Sequence, residues 1–217
     1  GGSRGLGDGY QRQERTYIYG ATYDSWNRVR TMTYPDGEVV TYHYDAAGQV
    51  ESLTSTKLGR ESTIVEKVGY DKEGHTVYSK LGNGMETTYS YDKVRDRLER
   101  MELQGKGGKV MSNAYSYDAV DNILGMENSI SPQSNKGMNP SKLGGTFSHS
   151  YRYDKLDRLV NASGKAKNAS YVMDMAYNVM SMPLHKYQEV DSSLTAHSYR
   201  NDYLYEDTSH PTAPTQI

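Results

Sequence analysis

The sequence has no cysteine, one phenylalanine and one tryptophan among its 217 residues. Without cysteine there is neither a disulfide nor a thiolate metal site, so stability has to come from burial and hydrogen bonding. Apolar residues make up only 35% of the chain, and the mean hydropathy is -0.85. No apolar run approaches the roughly 18 residues that a membrane-spanning helix needs. Charge of one sign is also missing: 25 basic and 27 acidic side chains leave a net charge of -2. That balance gives no electrostatic ground for a nucleic-acid partner. The six histidines, His43, His75, His149, His185, His197 and His210, show no metal-ligand spacing. Neither a metal nor a cofactor is expected.

Tyrosine is abundant, with 21 copies. Disordered chains of low apolar content are poor in aromatics, so this composition points elsewhere. Tyrosine offers a large ring for burial and a hydroxyl that can stay wet. A thin sheet with a half-hydrated face suits it better than a deep aliphatic core.

One unit recurs, centred on Tyr-Asp. It occurs as Tyr23-Asp24, Tyr44-Asp45, Tyr70-Asp71, Tyr91-Asp92, Tyr117-Asp118 and Tyr153-Asp154, with degraded copies at Tyr177-Asn178 and Tyr205-Glu206. From Asp to Asp the steps are 21, 26, 21, 26 and 36 residues. A second tyrosine precedes the pair by two places at Tyr42, Tyr89, Tyr115 and Tyr151, and again at Tyr203. A turn-type residue falls four places after the tyrosine: Asn27, Gly48, Gly74, Arg95, Asp121 and Asp157. Apolar Val29, Val50, Leu98, Ile123 and Leu159 follow shortly.

Each copy reads as strand, turn, strand. Met85, Thr87, Tyr89 and Tyr91 alternate with polar neighbours, as do Phe147, His149, Tyr151 and Tyr153, and Tyr171, Met173, Met175 and Tyr177. Period two is the signature of one-sided strands. The short aspartate carboxylate can accept backbone N–H groups just ahead of it and nucleate a turn. Gly48 and Gly74 suit the left-handed position that closes such a turn, and Arg95 is its least comfortable occupant. A second class of turn lies between copies, at Tyr34-Pro35-Asp36-Gly37 and Gly82-Asn83-Gly84, with a looser one at 104–108. The fold class is therefore all-β, an antiparallel meander of tandem hairpins with roughly a dozen strands. The whole of 1–217 is expected to be a single repeat domain and a fragment of a larger protein. Residues 129–145, rich in Ser, Asn, Gly and Pro, read as an insertion loop, and 208–217 as an irregular tail leading to a missing next repeat.

The many aspartates invite a catalytic reading, since paired carboxylates serve glycosidases. Here they recur once per repeat at equivalent turns, which is the pattern of structural turn formation, and no enzyme is expected. No copy has the acidic alternation of a calcium loop, and no serine sits in a nucleophile elbow. The tyrosines carry two readings. In one they are scaffold, with rings stacking across neighbouring strands. In the other, exposed rings together with Trp26 form a carbohydrate- or receptor-binding surface.

The stretches Tyr42-His43-Tyr44-Asp45-Ala46-Ala47-Gly48-Gln49-Val50 and Tyr89-Ser90-Tyr91-Asp92-Lys93-Val94-Arg95-Asp96-Arg97-Leu98 resemble the YD repeats of RHS-repeat proteins. That family includes bacterial polymorphic toxins, insecticidal toxin complexes and the animal teneurins. The resemblance runs from about Tyr17 to Tyr205. It implies a sheet ribbon that spirals into a hollow shell, secreted or displayed at a bacterial surface, with the rest of a parent chain as partner. An enclosed C-terminal toxin domain is a further implied partner, and surface glycans belong to the alternative reading. By the same resemblance Tyr23, Tyr42, Tyr44, Tyr70, Tyr89, Tyr91, Tyr115, Tyr117, Tyr151 and Tyr153 build the wall. Asp24, Asp45, Asp71, Asp92, Asp118 and Asp154 hold its corners. Nothing in the chain matches the family's shell-closing, self-cleaving segment. A cut section of such a sheet exposes free strand edges, so self-association through an edge is expected and light scattering would detect it.

Overall fold

A computed structural model describes residues 16–131, 145–191 and 197–217. Among these, regular structure is almost entirely β, and no α-helix occurs. Among the described residues no helix is long and apolar enough to cross a membrane. Fifteen strands follow one another in the sheet in chain order. The chain divides into two compact units, Gly1–Glu66 and Lys67–Ile217, and the division falls inside one long strand.

The first unit holds β1 (Gly20–Tyr23), β2 (Val29–Thr33), β3 (Val39–Tyr44), β4 (Val50–Lys57) and most of β5 (Arg60–Tyr70). The second holds the end of β5, then β6 (Thr76–Leu81), β7 (Glu86–Tyr91), β8 (Leu98–Gly105), β9 (Gly108–Tyr117) and β10 (Ile123–Asn128). It continues through β11 (Phe147–Tyr153), β12 (Leu159–Ala166), β13 (Ala169–Tyr177), β14 (Pro183–Asp191) and β15 (Tyr199–Asp202). Pairing within each unit is antiparallel.

Burial follows the alternation seen in the sequence. In β11 every second residue from Phe147 to Tyr153 is half-buried and those between are exposed. The truly buried apolar side chains are few: Val40, Val110, Ala162, Met173 and Met182. Tyr42, Tyr89, Tyr115 and Tyr151 are half-buried, and each lies directly across from a less polar partner: Leu53, Met101, Met126 and Ala162. Such cross-strand pairs each contribute about 0.2–1 kcal/mol.

The hairpin turns form as their residues dictate. Gly37 and Gly84 have φ of 82° and 85°, the left-handed conformation that only glycine adopts without strain. Asp36 and Asn83 occupy equivalent places, and each side-chain oxygen accepts the N–H two residues on, from Glu38 and Met85. A third hairpin was not legible in advance. Leu58 and Gly59 join β4 to β5 with φ of 50° and 73°, the two-residue turn whose twist matches that of the strands.

Gly164 has a different role. It sits opposite His149 on one side and Tyr171 on the other, and both rings lie over it. A Cβ there would fall 2.3 Å from Tyr171 and 2.5 Å from His149. The bare backbone is what lets the two rings meet, His149 Nδ1 lying 3.1 Å from the Tyr171 hydroxyl.

Most of the expected loop at 129–145 lies outside the described residues. Its base is closed by Asn128, whose amide nitrogen donates to the carbonyls of Ile130 (3.1 Å) and Gly145 (2.8 Å). The Asn128 side-chain oxygen in turn accepts the Ser112 N–H at 2.9 Å. The tail is irregular but turns back on itself, with Gln216 bridged to Leu204.

Candidate functional site: the Tyr-Asp turn

Among the described residues no group of three His, Cys, Asp or Glu is arranged to hold a metal ion. The chemistry of this chain concentrates in the repeated turn, which has three layers of bonding. The first is the turn itself. Asp Oδ1 accepts the N–H two residues on, from Trp26, Ala47, Glu73, Val94, Val120 and Leu156, at 2.8–3.1 Å. In five copies the same oxygen also takes the N–H four residues on, from Arg28, Gln49, His75, Asn122 and Arg158. The aspartate's own N–H donates to that residue's carbonyl, closing the loop. The left-handed position is filled by Asn27, Gly48, Gly74, Asp121 and Asp157, as expected.

Arg95 departs from expectation. The left-handed residue in that copy is Asp96, at φ 54°. One extra residue has entered the turn, so Asp92 N–H reaches the carbonyl of Arg97 rather than that of the fourth residue. The register of everything downstream moves by one, and an Asp replaces a bulky side chain where the backbone is least tolerant. The copy at Tyr177-Asn178 is degraded only in sequence. Asn178 Oδ1 accepts Met180 and Met182 N–H at 2.9 and 3.0 Å, and Ser181 takes φ 64°.

The second layer is the tyrosine hydroxyl. Tyr44, Tyr91, Tyr117, Tyr153, Tyr177 and Tyr205 each donate to one carbonyl on the preceding strand, respectively Val29, Thr76, Leu98, Ile123, Leu159 and Pro183. The distances span 2.6–2.9 Å. The acceptor is always the first residue of the strand that leaves the previous turn. Beside these turns the register slips by one residue, a β-bulge that leaves the Tyr opposite the residue that opens the following strand, as in Tyr44↔Val50 and Tyr153↔Leu159.

The third layer is the residue that ends the turn. Arg28, Arg97 and Arg158 each place Nε 2.7 Å from Oδ2 of their own aspartate. His75 and Asn122 make the equivalent contact at 3.0 Å. The same side chains then reach the next copy. The guanidinium carbons of Arg28, Arg97 and Arg158 lie 4.2, 5.0 and 4.8 Å from the ring centroids of Tyr44, Tyr117 and Tyr177. His75 stacks on Tyr91 at 4.9 Å. Arg97 Nη1 donates to the Asp118 carbonyl (3.2 Å), Asn122 to Asp157 (2.9 Å) and Arg158 to the Asn178 carbonyl (3.1 Å). At Tyr44, Tyr91, Tyr117 and Tyr177 a guanidinium or imidazole therefore covers the ring where a ladder of stacked tyrosines was expected. Equivalent rings stand two strands apart, about 10 Å, beyond the range of ring stacking.

The electrostatics follow. Hydrogen bonds from the Arg97 and Arg158 guanidinium groups hold the Asp92 and Asp154 carboxyls below their ordinary range. For Asp24 the backbone N–H of Arg28 acts first and its guanidinium second. In Asp71 and Asp118 partial burial works against ionisation, but donors from His75 and Asn122 outweigh it. Burial raises the hydroxyls of Tyr91, Tyr117 and Tyr153, which keeps them as donors.

Sequence reasoning found the aspartate and tyrosine of this unit but missed the residue four places after the aspartate. Its signal was present: Arg28, Gln49, His75, Asn122 and Arg158 are all long or ring side chains able to donate. Asn161, in a formal glycosylation sequon, spends its amide on the Met173 carbonyl and Asp174 within the sheet.

An antiparallel β-meander whose repeats share the Asp turn, six of them with the Tyr lock, defines a repeat-built β scaffold. The family model RHS Repeat matches residues 23–60 of this chain. The chain is 33% identical over 132 residues to toxin subunit YenC2 of Yersinia entomophaga and 32% identical over 136 residues to toxin subunit YenC1 of the same organism. Those alignments cover 56% and 59% of this chain but only 13% and 14% of the two relatives. The fold matches the crystal structure of TcdB2-TccC3 without its hypervariable C-terminal region, with a TM-score of 0.74 at 20% identity over 92% of this chain and 10% of that one. It also matches a Photorhabdus luminescens Tc holotoxin pore, with a TM-score of 0.70 at 20% identity over 90% of this chain and 10% of that one.

Proposed function

We propose that this chain is a non-enzymatic section of wall from a secreted bacterial toxin-complex protein, built to enclose or present a C-terminal effector domain. The observation that carries the reading is the uniformity of the Tyr-Asp unit. Each carboxylate is committed to its own turn and each lock tyrosine to its neighbour's backbone. A catalytic centre needs one constellation that differs from the rest, whereas these groups are spent identically in copy after copy. The 10 wall-building tyrosines and six corner aspartates named from the sequence take their roles in this reading. The likeness to toxin subunits of which this chain spans about an eighth supports a larger parent, whose remaining chain is then the principal partner.

The test is limited proteolysis of the full-length parent with intact-mass analysis. A protected C-terminal domain that becomes protease-sensitive when Asp118→Ala and Asp154→Ala are combined would support a wall around cargo. A long resistant repeat region with no enclosed domain would overturn it and turn attention to a carbohydrate- or receptor-binding surface. Glycan binding lost on changing Trp26 or one exposed tyrosine would then identify that second function.

A further inference from the structure

The residue two places after each turn aspartate has its N–H fixed by the carboxylate, and this fixes where its side chain can go. In the second unit these residues are Glu73, which is charged, and then in four consecutive turns Val94, Val120, Leu156 and Met180. These last four are apolar and exposed, at 90%, 62%, 64% and 59%. Trp26 holds the same place in the first unit and is 76% exposed. Four consecutive turns on one side of a meander stand about 10 Å apart, because two strand spacings separate them. Their polar groups are already satisfied sideways: Arg97 links the Asp92 turn to the Asp118 turn, Asn122 links that to the Asp154 turn, and Arg158 links that to the Asn178 turn. What remains is a rigid row of apolar tips at a fixed period, and rows of this kind are covered in the assembled state of a protein.

We propose that the row Val94, Val120, Leu156, Met180 is a contact surface for a second strip of Tyr-Asp turns, supplied in solution by a second copy of this chain. The period selects the occupant. A surface with the same repeat of about 10 Å meets all four tips in register, and another row of these turns has it by construction. The toxin subunits it resembles extend far beyond the aligned stretch, which leaves room for further rows of such turns, and with the isolated chain in solution a second copy supplies one. The inference rests on the scaffold reading and adds to it the surface by which strips would lie against one another.

The test is sedimentation velocity on the isolated chain from about 1 to several hundred micromolar, with circular dichroism as the check on folding. Three proteins are compared: wild type, the variant combining Val94→Ser, Val120→Ser, Leu156→Ser and Met180→Ser, and Ala21→Lys, which puts a charge on β1, the first strand in the sheet order. The expected result is wild-type association that the four serines weaken by about a hundredfold or more, while Ala21→Lys leaves it unchanged. Loss of association in Ala21→Lys with none in the serine variant would overturn the proposal in favour of edge pairing. A wild type that stays monomeric throughout would also overturn it. If the fourfold variant unfolds, Val94→Ser alone replaces it, because so exposed a side chain contributes little to folding. A single cysteine at Val120 in this cysteine-free chain gives a second reading. A short bis-maleimide should couple two copies through it, and should not couple them through a cysteine at Ala21. Failure of the enclosure test on the parent would leave these outcomes intact, so the two readings fail separately.

Discussion

Within each unit the two kinds of turn stand at opposite ends of the strands and are built differently. The Tyr-Asp turns share one plan: Oδ1 on the second N–H and, in most copies, Oδ2 on the closing side chain and the tyrosine hydroxyl on the neighbouring backbone. The hairpins opposite differ from one another. One uses Pro35-Asp36-Gly37, another Gly82-Asn83-Gly84, a third Leu58-Gly59, and a fourth closes Gly105 onto Gly108. The difference teaches where a repeat can vary. Length changes fall on the hairpin side, where the 26-residue step from Asp45 is taken up by the eight and eleven residues of β4 and β5. The segment that lengthens another step to 36 residues also enters between β10 and β11, on the hairpin side. On the Tyr-Asp side each turn bonds to the next, so an inserted residue has to be absorbed inside the turn, as Arg95 and Asp96 show.

The broadest way to break this comparison is pH. The turn carboxyls of Asp24, Asp71, Asp92, Asp118 and Asp154 are held below the ordinary 3.8 by their donors. A group depressed in the folded state contributes stability that is present above its unfolded value and lost as pH falls through the folded one. Thermal melts from pH 6 downward should therefore hold steady to about pH 4 and then drop steeply. At the other extreme Tyr91, Tyr117 and Tyr153 are raised above 10.0 by burial. Their contribution is intact below pH 10 and disappears as pH rises through the folded value, when the hydroxyl proton that bonds the neighbouring carbonyl is lost. A melting temperature that stays flat from pH 6 to 3 would show that the turn carboxylates do not hold the sheet.

A sharper break comes from Gly164, which belongs to neither kind of turn. Gly164→Val would drive a side chain into His149 and Tyr171, and overpacking of this kind costs about 2–3 kcal/mol. Urea unfolding measures it. A cost below about 0.5 kcal/mol would mean that the two rings swing away freely.

The tyrosine lock predicts a contrast between neighbours on one strand. Tyr117→Phe removes a 2.7 Å bond to the Leu98 carbonyl while keeping the ring under Arg97. The expected loss is about 1 kcal/mol. Tyr115→Phe, two residues earlier on the same face, removes only a 3.5 Å contact from Asn113 and should cost less than half as much. Equal losses from the two would remove the distinction between lock and stripe.

Much of this was readable in the sequence, and the reasons for the gaps are physical. The Tyr-Asp pairs, their period-two stripes and the glycines at Gly37, Gly48, Gly74 and Gly84 are local signals, and the structure puts strands and turns where they indicate. The closing residue escaped notice because Arg28, His75, Arg97, Asn122 and Arg158 share a function and not an identity. Each needs only to donate to a carboxylate and reach the next copy. The bulge beside each turn leaves no mark at all, since any residue can occupy it. Gly164 is equally silent, because the two rings that demand it are brought together only by pairing across three strands.

The smallest effect concerns the third hairpin, and it runs toward greater stability. Leu58 is the one aliphatic side chain among the described residues with a left-handed backbone, and it is 92% exposed. It therefore bears the steric cost of that conformation and recovers little through burial. Asn-Gly is the pair this two-residue turn favours, because asparagine enters the left-handed region with little strain. Leu58→Asn should raise stability by about 0.5 kcal/mol, read as a shift in urea midpoint without a change in slope. No comparable gain is expected from placing asparagine at Asp121, where the side chain also receives Arg97 from the preceding copy. The hairpin side tolerates improvement at single residues, whereas on the Tyr-Asp side a residue answers to two turns at once. A loss of stability on Leu58→Asn would place a contact of Leu58 on the hairpin side and undo that asymmetry.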